Sequence, residues 1–399
     1  MSLNNTPSAD RIHIGIFGKR NAGKSSIINA VTGQNLAIVS DIKGTTTDPV
    51  LKSMELLPLG PVVIIDTPGL DDIGALGTLR VQKAYQILNK TDIAVLVIDG
   101  SLGMTSEDEK ILERIKEKEI PYLTVYNKMD LANFKIQIKD PAHEIGVSTK
   151  DGTHIHELKE LLASLSPKKD SSRRIIADLI KPLDFIILVV PVDESAPKGR
   201  LILPQQQTIR DILESRAVSI VVKDTELKET LEKLGRKPDL VVTDSQVFEE
   251  VSKIVPMDIP LTSFSILFAR YKGNLSTVVN GAFALDHLEN GDRVLICEGC
   301  THHRQCNDIG SVKLPGWISN HTGKELTFSF TSGTEFPVDL SPYKLIVHCG
   351  GCMLNDREMK YRLKCAVDAN VPMTNYGIAI AHMKGILKRS IAIFPNTNI

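Results

Sequence analysis

Short apolar runs alternate with amphipathic stretches along most of this chain. In residues 11–167 the runs RIHIGIFG, VVIID, DIAVLVID, YLTVYN and HEIGVS have the length and composition of strands. SSIINAVTG and HIHELKELLASLS carry the apolar spacing of helices. Strands alternating with helices predict a mostly parallel sheet covered by helices. Residues 166–174, SPKKDSSRR, are polar and charged with no apolar period and read as a linker. The alternation resumes over 175–264 with DFIILVVPV, QQTIRDILESRA, VSIVVKD, ELKETLEKLG, DLVVTDS, QVFEEVSKI and PLTSFSIL, a second and smaller α/β unit. Its strands are almost wholly apolar, as in sheets buried on both faces, and an open edge or helix face there would make an oligomer contact. The remainder, 269–399, reads as mixed α/β. The expectation is an α/β protein of three domains, 1–167, 175–264 and 269–399.

A length of 399 residues suits two or three domains. With 42% hydrophobic and 24% charged residues and a net charge of -1, the composition is that of a soluble globular protein. It gives no support to a nucleic-acid or acidic-membrane partner, which would call for a basic patch. No run reaches the roughly 18 apolar residues of a membrane span. The opening MSLNNTPSADR lacks the apolar core of a secretory signal and reads as a frayed tail, so a cytoplasmic location is expected.

The chemistry begins with GKRNAGKSS. It contains G-x-x-x-x-G-K-S from Gly18 to Ser25, directly after a predicted strand and before a helical pattern. Glycines let backbone N–H groups of Asn21, Ala22, Gly23, Ser25 and Ser26 curl around phosphate, and the helix N-terminus adds partial positive charge. Lys24 would bridge the β- and γ-phosphates and Ser25 would ligate Mg2+. DTPG follows a strand and places Asp66 near Mg2+ and the Gly69 N–H near the γ-phosphate. NKMD, at a later strand end, supplies Asn127, Lys128 and Asp130. The Asp130 carboxylate would accept from guanine N1–H and the 2-amino group, donors that adenine lacks. STK, with Ser148, Thr149 and Lys150, sits where a base-contacting loop belongs. Together these motifs predict a GTP-hydrolysing domain.

The six cysteines, Cys297, Cys300, Cys306, Cys349, Cys352 and Cys365, all lie in the last third. In a reducing compartment, metal or cluster ligation is a better use for such a concentration than disulfides. CTH, from Cys300 to His302, precedes HCGGC, from His348 to Cys352. Glycines between ligands at i and i+3 allow a tight turn aiming both sulfurs at one metal. Two readings stand on the residues alone. CEGC and CGGC are two C-x-x-C pairs, so Cys297, Cys300, Cys349 and Cys352 could hold a structural Zn2+. Alternatively a smaller set holds an iron–sulfur cluster. Cys306 and Cys365 read as packing thiols.

The nucleotide motifs resemble the TrmE/Era-like group of translation-factor-class P-loop GTPases. That resemblance implies that Thr46, in GTTTD, reaches Mg2+ and the γ-phosphate, although the group more often has arginine at Thr47. It implies slow hydrolysis, because Leu70 stands where Ras-type enzymes orient water with glutamine. It also implies a K+ ligated by Asn21 beside the phosphates, offsetting developing charge as an arginine finger does. The whole chain is similar to the HydF family, GTPases of FeFe-hydrogenase maturation. This implies a middle dimerisation domain and a homodimer, and a C-terminal domain whose Cys300, Cys349 and Cys352 bind a 4Fe-4S cluster. His302 and His348 would then be a fourth ligand or supporting groups. It further implies a diiron precursor as cargo, with radical-SAM maturases and apo FeFe-hydrogenase as partners and GTP as a conformational switch. The competing expectation is a GTPase of RNA modification or ribosome assembly with a structural zinc domain.

Overall fold

The computed structural model describes residues 8–33, 50–67, 69, 84–134, 136–166, 173–192, 201–299, 309–333 and 335–395. They form two compact units, residues 1–169 and 170–399.

The first unit is built on a six-stranded sheet in the order β2-β3-β1-β4-β5-β6. Its strands are β1 Ile12–Phe17, β2 Val50–Leu56, β3 Gly60–Asp66, β4 Ile93–Asp99, β5 Tyr122–Asn127 and β6 Glu144–Gly146. All pairings are parallel except β2 with β3. The central strands alternate between two cores. Ile14, Val62, Ile64, Val95 and Val97 face the helices Lys24–Thr32 and Ile155–Ser164, while Val63, Ile65, Leu96 and Ile98 face the helix Ser106–Glu117. Burial on both faces explains the unbroken apolar runs. The strand β2, absent from the sequence expectation, is an edge strand whose exposed and half-buried positions include Lys52 and Glu55. It lacks the apolar run that marks its neighbours.

The second unit holds two all-parallel, four-stranded sheets, β10-β9-β7-β8 and β12-β11-β13-β14. The first comprises β7 Phe185–Val189, β8 Val218–Val222, β9 Leu240–Thr243 and β10 Leu261–Ser263. The second comprises β11 Arg293–Glu298, β12 Thr327–Ser332, β13 Leu345–His348 and β14 Met373–Asn375. One helix, Tyr376–Met383, joins their cores: Ile378 and Ala381 pack under the first sheet, Ala379 and Ile380 under the second. A helix apolar on every side must be covered on every side, so segments 175–264 and 269–399 share an interior. Of the first sheet's strands, β7 and β9 are buried, but β8 is an edge whose Val221 is 44% exposed. No helix among the described residues is long and apolar enough to cross a membrane.

Candidate functional site

At the end of β1 the chain turns through Gly18 (φ +140°), Asn21 (φ +59°) and Gly23 (φ +96°) into the helix Lys24–Thr32. A Cβ on Gly18 would lie 2.2 Å from the Val97 carbonyl oxygen, so only glycine fits there. The buried Lys24 ammonium lies within this loop, donating to the carbonyls of Gly18 (2.9 Å) and Lys19 (2.8 Å). Ser25 Oγ stands 3.5 Å from Asp66 Oδ2 at the end of β3, and burial pushes the Asp66 carboxyl up against the opposing pull of Lys24, Ser25 and Lys52. Two of the three residues expected at Mg2+ therefore meet. Asn21 is exposed on the loop, and Ser26 and Gly69 are half-buried.

The base-side motifs also converge. Asn127, 1% exposed, donates from Nδ2 to the Ala22 carbonyl (3.2 Å), joining the NKMD strand end to the phosphate loop. Its Oδ1 is buried with no hydrogen-bond partner among the described residues. Asp130 Oδ1 accepts from the buried Ser148 Oγ (3.0 Å), and Lys150 Nζ lies 3.8 Å from Oδ2, so STK orients the carboxylate assigned to guanine. Lys128 (φ +68°) pairs with Asp99 at 2.5 Å. The half-buried Thr149 lies beside Ser148 in the STK loop. Thr46 and Leu70 lie outside the described residues.

In the second unit β11 and β13 run side by side, with Cys297 opposite His348, so the loops leaving both strands emerge at one edge of the sheet. The Gly299 N–H donates to Cys349 Sγ at 3.0 Å and the Gly351 N–H at 3.4 Å. Gly299 precedes Cys300, which lies outside the described residues with His302 and Cys306. Gly351 holds φ +61°, and a Cβ there would come within 2.5 Å of Met359 Sδ. Burial pushes the Cys349 thiol up to about 11 and raises Cys352 too, offset at Cys349 by the two N–H donors and at Cys352 by Lys272. Half-buried cysteines with N–H groups aimed at sulfur suit thiolates that surrender their protons to a metal.

Three charged side chains absent from the sequence expectation support this loop. Lys272, 2% exposed at the end of the helix Phe264–Lys272, donates to the carbonyls of Gly351 (3.1 Å), Cys352 (3.2 Å) and Leu354 (2.9 Å). Arg362, fully buried, bonds Glu358 (2.9 Å), the Gly333 carbonyl (2.9 Å) and His348 Nε2 (3.0 Å). Because guanidinium only donates, Nε2 accepts and Nδ1 carries the proton given to the Cys349 carbonyl at 2.7 Å. Both ring nitrogens of His348 are thus engaged.

Cys297 lies on the core side of its strand. Alternation along β11 turns Leu295 and Cys297 into a core with Phe336, Leu340, Ile346 and Met373, and Cys297 is 0% exposed. Among the described residues its sulfur does not form a three-ligand group with those of Cys349 and Cys352, and Cys300 lies outside the described residues. Cys365, half-buried, packs against the same core.

A phosphate loop, the Asp66 carboxylate beside Ser25 and the NKMD and STK loops meeting at Asp130, all on one doubly covered sheet, define the class of P-loop GTPases. Residues 13–128 match the family described as 50S ribosome-binding GTPase. Residues 175–273 match the Hydrogen maturase F dimerization domain, and 276–393 the Hydrogen maturase F tetramerization domain. The chain belongs to the hydrogen maturase F family. Its first unit is similar to the tRNA modification GTPase MnmE of Nitrosomonas eutropha, 36% identical over 154 residues (38% of this chain, 34% of that protein). It is similar also to GTPase Der of Wolinella succinogenes, 37% identical over 183 residues (42% of this chain, 38% of that protein). The chain thus spans little more than a third of the length of these curated relatives. A crystal structure of Aquifex aeolicus Era bound to GDP.AlF4- is 23% identical, covering 56% of this chain and 98% of that one with a TM-score of 0.35.

Proposed function

We propose that this protein is a GTPase and iron–sulfur scaffold of FeFe-hydrogenase maturation. It would accept a diiron precursor from radical-SAM maturases as cargo and deliver it to apo-hydrogenase in the cytoplasm. The observation that carries the reading is the Cys349 loop: a half-buried cysteine whose sulfur is faced by two N–H donors, the loop's carbonyls gathered by Lys272, in a chain that also holds a guanine-nucleotide site. In the nucleotide unit Lys24 neutralises the β- and γ-phosphates. Ser25, Asp66 and Thr46 would hold Mg2+, the Gly69 N–H would meet the γ-phosphate, and Asp130 would select guanine. A K+ at Asn21 would compensate for the missing water-orienting glutamine, so turnover is slow and potassium-stimulated.

Cys300, Cys349 and Cys352 would hold the 4Fe-4S cluster. When bound it supplies an iron with a position open to exchangeable ligands, which three thiolates leave free. The chain's own part is to anchor and shield: the Gly299 and Gly351 N–H groups stabilise thiolate charge, Lys272 fixes the loop, and Arg362 orients His348 against the Cys349 carbonyl. Segments 175–273 and 276–393 would assemble copies of the chain, first as a homodimer. Two variants test the proposal. Lys24→Ala should lose GTP turnover and keep its iron, Cys349→Ala should do the reverse, and both should fail to activate apo-hydrogenase mixed with the other maturases. Full activation by either variant overturns the role assigned to the altered site.

A further inference from the structure

Away from the cysteine loop, three side chains from three separate helical segments meet. Asp286 comes from the short 3-10 helix Phe283–His287, His321 from the last turn of Leu314–Thr322, and His382 from the last turn of Tyr376–Met383. His321 Nε2 lies 3.0 Å from Asp286 Oδ1 and His382 Nε2 lies 2.9 Å from Oδ2. One ligand atom from each residue falls within 4.8 Å of the other two. The imidazole rings stand edge to face with centroids 5.9 Å apart, and Phe283 packs edge-on against His382 at 5.2 Å.

We infer that Asp286, His321 and His382 form a surface binding site for one divalent transition-metal ion, of which zinc is the best match. Two imidazole nitrogens and one carboxylate are the donor set of zinc sites that keep a position open. The spacing fits: bonds of about 2 Å to a tetrahedral ion put neighbouring ligand atoms roughly 3.3 Å apart, near the two observed Asp–His separations. The setting fits as well. Both histidines sit at helix C-termini, where outward carbonyls carry partial negative charge that favours a cation. Asp286 and His321 are exposed and His382 is half-buried, so an ion could enter from solvent without unfolding the chain. The site would clip three segments of the region 276–393 together and leave an outward position for water or another donor. It shares no residue with the cysteine loop and stands independently of the cluster.

The test is metal binding by the full chain carrying Cys349→Ala, a background that weakens thiolate competition. After dialysis against Zn2+, metal analysis should find one more ion per chain in this background than in the same chain with Asp286→Asn or His382→Gln added. Zinc affinity at that site should fall at least about tenfold in the added variants, since even outer-sphere changes reach that size. Substituting Co2+ should give a visible spectrum without the intense sulfur-to-cobalt charge-transfer band, and that spectrum should vanish in both added variants. Unchanged thermal midpoints in chelator would show that the variants fold. Equal zinc content with and without Asp286→Asn and His382→Gln, or a Co2+ spectrum of thiolate type only, would overturn the site and leave an ion-paired cluster.

Discussion

Lys272→Met is the sharpest perturbation of the cysteine loop that leaves every cysteine in place. The thioether keeps the length and apolar stem of lysine in a space that is 2% exposed, so little is lost to cavity formation. What disappears is the ammonium donating to three carbonyls at 3.1, 3.2 and 2.9 Å. Hydrogen bonds to charged donors contribute about 1.5–3 kcal/mol each, but three bonds sharing one ammonium do not add. A buried acceptor left without its donor costs about 1–3 kcal/mol, and for three carbonyls losing one shared donor, less than additively, about 3–5 kcal/mol is the expectation here. For a unit of this size each kcal/mol moves the thermal midpoint by about 2–4 °C, giving a fall of roughly 6–20 °C. The assay is calorimetry of the full chain with and without GTP, nucleotide shifting the transition of the first unit and so identifying that of the second. The variant should also lower the thiolate fraction of Cys352, which Lys272 helps to ionise, and so slow its alkylation at fixed pH. Nucleotide affinity should not change, because the described nucleotide-site residues all precede residue 170. A midpoint within about 2 °C of the parent, inside the scale of a single kcal/mol, would refute the assignment of Lys272 as the loop's anchor.

Three other expectations follow from the same geometry. His348 is pushed down to about 3, first by burial and then by Arg362, whereas an unfolded imidazole takes its proton near about pH 6.5. The unfolded chain therefore binds more protons between those values, and the stabilisation is complete above about pH 6.5 and lost as pH falls toward the folded value. His348→Gln should flatten that limb of the second unit's stability profile, and identical slopes would count against the neutral His348. GTP hydrolysis should run faster in KCl than in NaCl at equal ionic strength, with Asn21→Ala erasing the difference; equal rates in the parent dispose of the K+ site. Val221→Lys, placed on the open edge strand β8, should lower the sedimenting mass if that edge pairs copies of the chain, and an unchanged mass would rule the edge out.

Much of the nucleotide unit was legible because its chemistry is local. A phosphate loop must follow a strand and open a helix, and strands buried on both faces announce themselves as apolar runs such as those of β1, β3 and β4. Edge strands do not: β2 pairs on one side only and carries Lys52 and Glu55, so its pattern looks like loop. The support of the cysteine loop was hidden for a different reason. Lys272 closes an apolar helix and reads as a solvated end, yet it is covered by the loop it holds. Glu358 and Arg362 lie in DREMKYRLK, a run that looks solvent-facing; the available signal was the stripe at 358, 362 and 366, one buried face of a charged helix. The side taken by Cys297 was not legible either, since a C-x-x-C spacing says nothing of which face of a strand its first sulfur takes. Asp286, His321 and His382 have no sequence signature at all, being joined only by tertiary packing.

In the proposed function, Cys300, Cys349 and Cys352 hold an iron–sulfur cluster through three thiolates while Cys297 serves the core. Iron analysis and electron paramagnetic resonance after anaerobic reconstitution test it most directly, comparing the parent with Cys297→Ala and Cys349→Ala. A cubane of about four irons per chain, with the reduced-cluster signal, is expected in the parent and in Cys297→Ala and absent from Cys349→Ala. A colourless protein holding zinc, lost on Cys297→Ala, would contradict the account.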